Sequence, residues 1–178
     1  VGDIHGFVNS DADGRTQISE LWYEQRLFED RLRITVGKVD ANSLFAYVDF
    51  GKDFLNSSFG HSSTMDSVGM PTYPNPALSV NVFVNPAPWL YAGVGVYDGS
   101  GQAGVNTGSY GPASLFHGDT SRFYIGEAGV RWAFSADTLP GRFSVGGHYH
   151  DGTFTRFDGG TQSGAGGFYL VLEQKLWH

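Results

Sequence analysis

Residues 18–40, ISELWYEQRLFEDRLRITVGKVD, contain two alternating runs that meet at Glu29-Asp30. A hairpin folded there sets Glu24 opposite Thr35, Trp22 opposite Gly37 and Glu20 opposite Val39. Successive side chains of a strand point to opposite faces. One face therefore gathers Leu21, Tyr23, Leu27, Leu32, Ile34 and Val36, and the other gathers Glu20, Trp22, Glu24, Arg33 and Thr35. The first face seeks hydrocarbon. The second carries carboxylates and a guanidinium close enough for diagonal contact, together with a tryptophan that a water-facing surface has little use for. A membrane barrel has this arrangement, with apolar residues toward lipid and polar or aromatic ones lining a wet interior.

Composition agrees with an all-β chain. Of 178 residues 26 are glycine, aromatics make up 15% and charged residues only 16%, a profile poor in helix formers. With no cysteine there are no disulfides, thiolate metal sites or thiol nucleophiles. No apolar run reaches the roughly 18 residues of a transmembrane helix, but a barrel strand needs only about ten alternating residues. The net charge of −7 argues against a nucleic-acid partner. The chain opens VGDIHG, without an initiator Met or a basic-then-apolar leader, so any signal peptide is expected to have been removed.

Alternation recurs along the chain wherever turn residues pause. A weak first strand is expected at Gly2–Val8, followed by a loop at 9–16 and then by the hairpin. A long interruption from Ala41 to Ala77 carries Phe45, Phe50, Phe54 and Phe59, and its Asn42–Val48 part could make a helical turn or two. Loops of this length usually serve a function, and part of this one is expected to fold inward. Leu78–Val84 sets Leu78, Val80, Val82 and Val84 against Ser79, Asn81 and Phe83. After Asn85–Pro88, Leu90, Ala92, Val94 and Val96 oppose Tyr91, Gly93, Gly95 and Tyr97. Arg122–Phe134 places Tyr124, Ala128, Val130, Trp132 and Phe134 against Phe123, Ile125, Glu127, Gly129 and Arg131. Beyond a turn at Ser135–Gly141, Phe143, Val145, Gly147 and Tyr149 oppose Ser144, Gly146, His148 and His150, an arrangement that sets Glu127 across from His150. A loop at Asp151–Gly164 precedes a last strand at Gly166–Trp177, whose apolar face holds Phe168, Leu170, Leu172 and Leu176. Long and short connections alternate, as the large outer loops and tight periplasmic turns of outer-membrane barrels do. Aromatics near strand ends (Trp89, Tyr97, Trp132, Phe134, Tyr149 and Trp177) fit interfacial girdles.

The run from SELWYEQ through LRITVGKVDAN, then FLNSSFG, PTYPNPA and GVGVYDG, resembles the carbohydrate-selective porins of the OprB type, with a looser fit at FYIGEAGVRW, HYHDG and Gly166–Trp177. The resemblance implies a monomeric, roughly 16-stranded outer-membrane β-barrel that passes glucose-type sugars by diffusion, with inward-folded loops and charged residues at a constriction. About eight strands are legible here, so residues 1–178 are expected to be part of a single barrel domain, about half of it, since a barrel cut in two would leave unpaired edges in lipid. The alternatives are a complete eight-stranded barrel with a structural or adhesion role and a soluble ligand-binding barrel. Outer-membrane lipid and lipopolysaccharide are the expected macromolecular surroundings.

Within that frame Glu20, Trp22, Glu24, Arg33, Glu127, Arg131 and His148 are candidate substrate-path residues. Aromatic faces stack on sugar C–H groups, and arginine or carboxylate groups bond hydroxyls. The same residues would equally make a charge ladder that stiffens the wall. His148-x-His150 has the spacing of a two-strand metal pair but lacks an evident third ligand. The loop acids Asp11, Asp13, Asp49, Asp53, Asp66, Asp98, Asp119, Asp151 and Asp158 fit Ca²⁺ binding or ordinary turn chemistry, and turn chemistry is the expectation. The chain carries no nucleophile elbow, P-loop or H-E-x-x-H, so neither catalysis nor a cofactor is expected.

Overall fold

The computed structural model describes residues 17–54, 60, 65, 67–104, 121–134 and 138–177. The strand expected at Gly2–Val8, the loop 9–16, Phe59, Asp66 and Asp119 lie outside these. Among the described residues seven strands form one antiparallel sheet whose spatial order is the chain order. They are β1 (Leu21–Leu27), β2 (Leu32–Val39), β3 (Ala77–Ala87), β4 (Leu90–Asp98), β5 (Arg122–Phe134), β6 (Leu139–Thr155) and β7 (Thr161–Gln174). Among the described residues β1 and β7 are the edges.

The hairpin register is the one the sequence dictates, with Glu24 paired to Thr35 and Trp22 to Gly37. Its connection, Phe28–Arg31, closes after the Leu27–Leu32 pair, and Phe28, Glu29 and Asp30 all lie in the left-handed region at φ 56°, 56° and 64°. The alternation carries through to the outer face as continuous cross-strand rows. Ile34, Val82, Val94, Gly126, Gly147 and Phe168 form one row, and Leu32, Val84, Ala92, Ala128, Val145 and Leu170 form the next. Val94 and Leu170 are 60% and 62% exposed, which suits lipid contact and would be costly in water. Tyr124 and Tyr149 pair with each other on this face toward the loop end, and exposed Trp89 and Phe134 mark the short-turn end. Trp132 is near them, its indole N–H donating to Gln174 Oε1 at 2.7 Å. Tyr97, expected in a girdle, is instead buried on the inner face, because it falls on the Tyr91-Gly93-Gly95 alternation.

The structure corrects several boundaries. Glu127 pairs with Gly146 and His150 with Phe123, because Phe134 pairs with Leu139 and the turn is tighter than Ser135–Gly141. The Asp151–Gly164 stretch is largely strand: β6 runs to Thr155 and β7 starts at Thr161, past an irregularity between His150 and Thr153. The last strand ends at Gln174, short of Trp177. In the long interruption, 3-10 turns occupy Ala41–Ser43 and Gly51–Asp53.

The core lies between that interruption and the inner face of the sheet. Asp40 anchors both ends of the excursion, accepting from Asn42 N at 2.8 Å as it leaves and from Tyr73 N at 2.9 Å as it returns. Phe45 is fully buried and stacks on Phe83, with centroids 4.9 Å apart, in a cluster with Ala46, Met65, Met70, Tyr97, Phe123 and Ile125. The inward fold expected of this segment is thus present, and the phenylalanine that carries it is Phe45. Phe54 stays exposed.

Candidate functional site: the inner wall and the segment folded onto it

Large rings lie flat on the inner wall because glycines face them. Phe83 pairs with Gly93, Tyr91 with Gly129 and Tyr169 with Gly146, and a Cβ on any of these glycines would run into the opposing ring. The flattened rings then carry guanidinium groups. Arg33 Cζ sits 4.5 Å above the Phe83 centroid and Arg131 Cζ 4.1 Å above that of Tyr91. Both are within cation–π range. Arg33, Phe83, Tyr91 and Arg131, with Tyr47 and Asn85, line a cleft of about 170 Å³ near the short-turn end of the sheet. A second cleft of about 410 Å³ shares Tyr47 and Arg131 with the first and adds Asp49, Asp53, Arg142 and Glu173. Tyr47 borders both.

The Tyr47 segment is held from below by a buried charge network. Glu127 accepts from Tyr91 Oη–H at 2.6 Å and from Ala46 N at 2.9 Å, and Glu173 accepts from Phe50 N at 3.2 Å. Arg142 bridges the two carboxylates. Its Nε and Nη2 donate to Glu173 Oε2 at 3.1 and 2.8 Å, and its Nη1 lies 3.7 Å from Glu127 Oε1. The same guanidinium donates to Tyr47 O and lies 3.9 Å from the Tyr47 ring centroid. Burying a lone charge is expensive, so groups this deep persist only when paired and hydrogen-bonded.

All seven sequence-predicted residues are placed, but they fall into different settings. Trp22 is half exposed against Gly37 at β1. Glu24 accepts from Arg26 Nε at 2.6 Å and from Thr35 Oγ1 at 3.5 Å, with Arg33 Nε at 4.0 Å. Glu20 precedes β1, where its carboxylate accepts from Asp40 N at 3.4 Å. Arg33 and Arg131 come together around the smaller cleft. His148 is half-buried and stacks on Phe123, with centroids 6.0 Å apart, away from that cleft. Glu127 is covered by the Ala46 segment, so it contacts packing and not open space. Arg26, Tyr47, Tyr91, Arg142 and Glu173 were not among the candidates. Arg26 shares the Trp22-Glu24 alternation that would have revealed it, whereas Tyr47 lies in a segment without periodicity.

His150 is fully buried with both ring nitrogens engaged: Nε2 is 3.1 Å from Gly99 O, and Nδ1 accepts from Gly152 N at 3.0 Å. Those bonds fix one neutral tautomer and leave no lone pair for a metal. Of the described loop acids, Asp49 and Asp53 line the larger cleft, and three others accept from main-chain N–H groups. Asp98 accepts from Ser100 N, Asp151 from Arg122 N, and Asp158 from Gly160 N. Among the described residues no group of acids and histidines could hold a metal ion.

An antiparallel sheet with an apolar outer face, a charged and aromatic inner face and a segment folded onto that inner face is the wall of an outer-membrane β-barrel of the porin class. The chain belongs to the carbohydrate-selective porin, OprB family, which it matches over residues 4–178. It is similar in fold to Pseudomonas putida OprB, solved at high pH, with a TM-score of 0.67 and 18% identity over 90% of this chain and 41% of that one. No curated protein sequence matches it. The family and the fold place it in the outer membrane of a Gram-negative bacterium.

Proposed function

We propose that the full-length protein is a porin passing carbohydrates, glucose-type sugars among them, by passive diffusion without catalysis. On this reading the chain is part of one barrel domain that works as a monomeric pore amid lipid and lipopolysaccharide. The observation that carries the proposal is the pair of guanidinium groups, Arg33 and Arg131, laid over Phe83 and Tyr91 at the mouth of a cleft. A sugar presents C–H faces and hydroxyls together, and this surface offers planar rings and planar donors together. The groups are partly solvated, so water can replace each contact as the solute moves on, and weak binding of this kind is what a diffusive channel requires. Trp22 and Glu24 continue the polar ladder along β1 with Glu20 just before it, and His148 contributes farther along the wall. Glu127 acts from beneath the path.

Single-channel current of the full-length protein in planar bilayers, with and without glucose, tests this. The parent channel should be partly blocked by sugar, and Trp22→Ala with Arg33→Gln should weaken that block while the open current persists. A channel insensitive to glucose would refute the sugar path. An intact mass equal to the 19.3 kDa of the chain would refute membership in a larger barrel.

A further inference from the structure

We infer that Arg142, with Glu127 and Glu173, is the positioning device of the sugar path, gripping residues 46–50 by their backbone so that Tyr47 stands between the two clefts. The inference rests on the porin reading but uses different residues. Each hydrogen bond from these side chains to the segment is made to a main-chain atom: Ala46 N to Glu127, Phe50 N to Glu173 and Tyr47 O to Arg142. The three side chains come from β5, β6 and β7, so the grip ties the segment to strands far from its own β2 and β3 ends. Arg142 is its centre. The guanidinium fork satisfies Glu173 with two bonds, neutralises Glu127, accompanies the Tyr47 ring and bonds Tyr91 Oη at 3.3 Å. Tyr91 is also the ring beneath Arg131. One side chain therefore positions both the aromatic border of the path and a guanidinium stack beside it.

Arg142 and Glu173 border the larger cleft, yet all three groups are committed to buried bonds and present little surface to a solute. Glu127 is 4% exposed, Arg142 5% and Glu173 6%. On this inference their main effect on passage runs through the position of Tyr47, a role that can be separated from general fold stability. Lysine at 142 would keep the charge but lose the fork, and so could not serve Glu173 and Tyr47 O together.

The test uses the full-length protein folded in detergent and in bilayers. In Arg142→Gln, amide exchange at Ala46 and Phe50 should speed up about tenfold or more, matching the loss of a charge-assisted bond, while amides in the middle of β4 and β5 keep their protection. Open-channel current should rise and become noisier, and glucose block should weaken several-fold. Arg142→Lys should restore part of the current and block. A folded Arg142→Gln with parental exchange at both amides and parental current would overturn the inference. Should Arg142→Gln fail to fold, Glu173→Gln decides: faster exchange at Phe50 with Ala46 unchanged supports the grip, and no change at either overturns it. A parent channel that conducts ions but ignores glucose would refute the sugar reading, and the exchange and current measurements would still judge the grip.

Discussion

The two ends of the inner wall use the same residue types for opposite purposes. On β1 and β2, Glu24, Arg26 and Arg33 pair with side chains 16%, 57% and 30% exposed. On β5, β6 and β7, Glu127, Arg142 and Glu173 pair with side chains only 0–6% exposed. The first set is held loosely in solvent, where ion pairs contribute little and exchange readily. The second is sealed beneath the 41–54 segment, where removing one partner strands the others. Charge pattern alone therefore does not separate a solute path from a structural tie. The cover decides.

The largest expected effect lies in the sealed set. Glu127→Ala should cost about 3–5 kcal/mol of stability in urea unfolding from lipid, because Arg142 is left in the wall without its bridge and Ala46 N without an acceptor. A loss below that of an exposed pair would show that the segment is not held as described. Next comes the outer face. Val94→Arg, in the middle row, should cost about 2–4 kcal/mol in the same assay, whereas Trp22→Arg on the inner face should be tolerated. Equal costs would mean the faces are reversed. Smaller again is Arg33→Gln, which should raise the glucose concentration needed for half-block by a few-fold, corresponding to about 1 kcal/mol of lost stacking and bonding. The smallest is Glu24→Ala, expected to shift stability by under about 1 kcal/mol. A larger penalty there would erase the contrast between the two ends of the wall.

The face assignment was legible because it depends only on a period of two. Leu32-Ile34-Val36, Val80-Val82-Val84 and Val94-Val96 each alternate cleanly, and any even error in register leaves every side chain on its proper side. The β5–β6 hairpin makes the point. The expected pairing set Glu127 across from His150, four residues from its true partner Gly146, yet both faces came out right. Partners are harder to read than faces, since they depend on turn length. Residues 151–164 misled because Asp, Gly and Thr read as loop, while ladder bonds supplied by the neighbouring strand extend β6 and β7 through them. The functional residues divide in the same way. Arg33 and Arg131 were visible from alternation. Arg142 stood at the margin of the misjudged turn, and Glu173 stood in a strand whose leucines dominated the pattern. Tyr47 could not be read at all, because its position follows from contacts more than 80 residues away, such as Ala46 N with Glu127.

Main-chain anchoring also bears on how such a channel can diversify. Bonds to Ala46 N, Tyr47 O and Phe50 N are indifferent to the side chains those residues carry. On the porin reading, substitutions at Tyr47, Val48 and Asp49 should therefore change the surface this segment offers a passing solute while the three bonds that hold it stay in place. The wall acts as a fixed socket and the segment as an interchangeable insert, so a library randomised at these positions should yield folded barrels with altered solute preference.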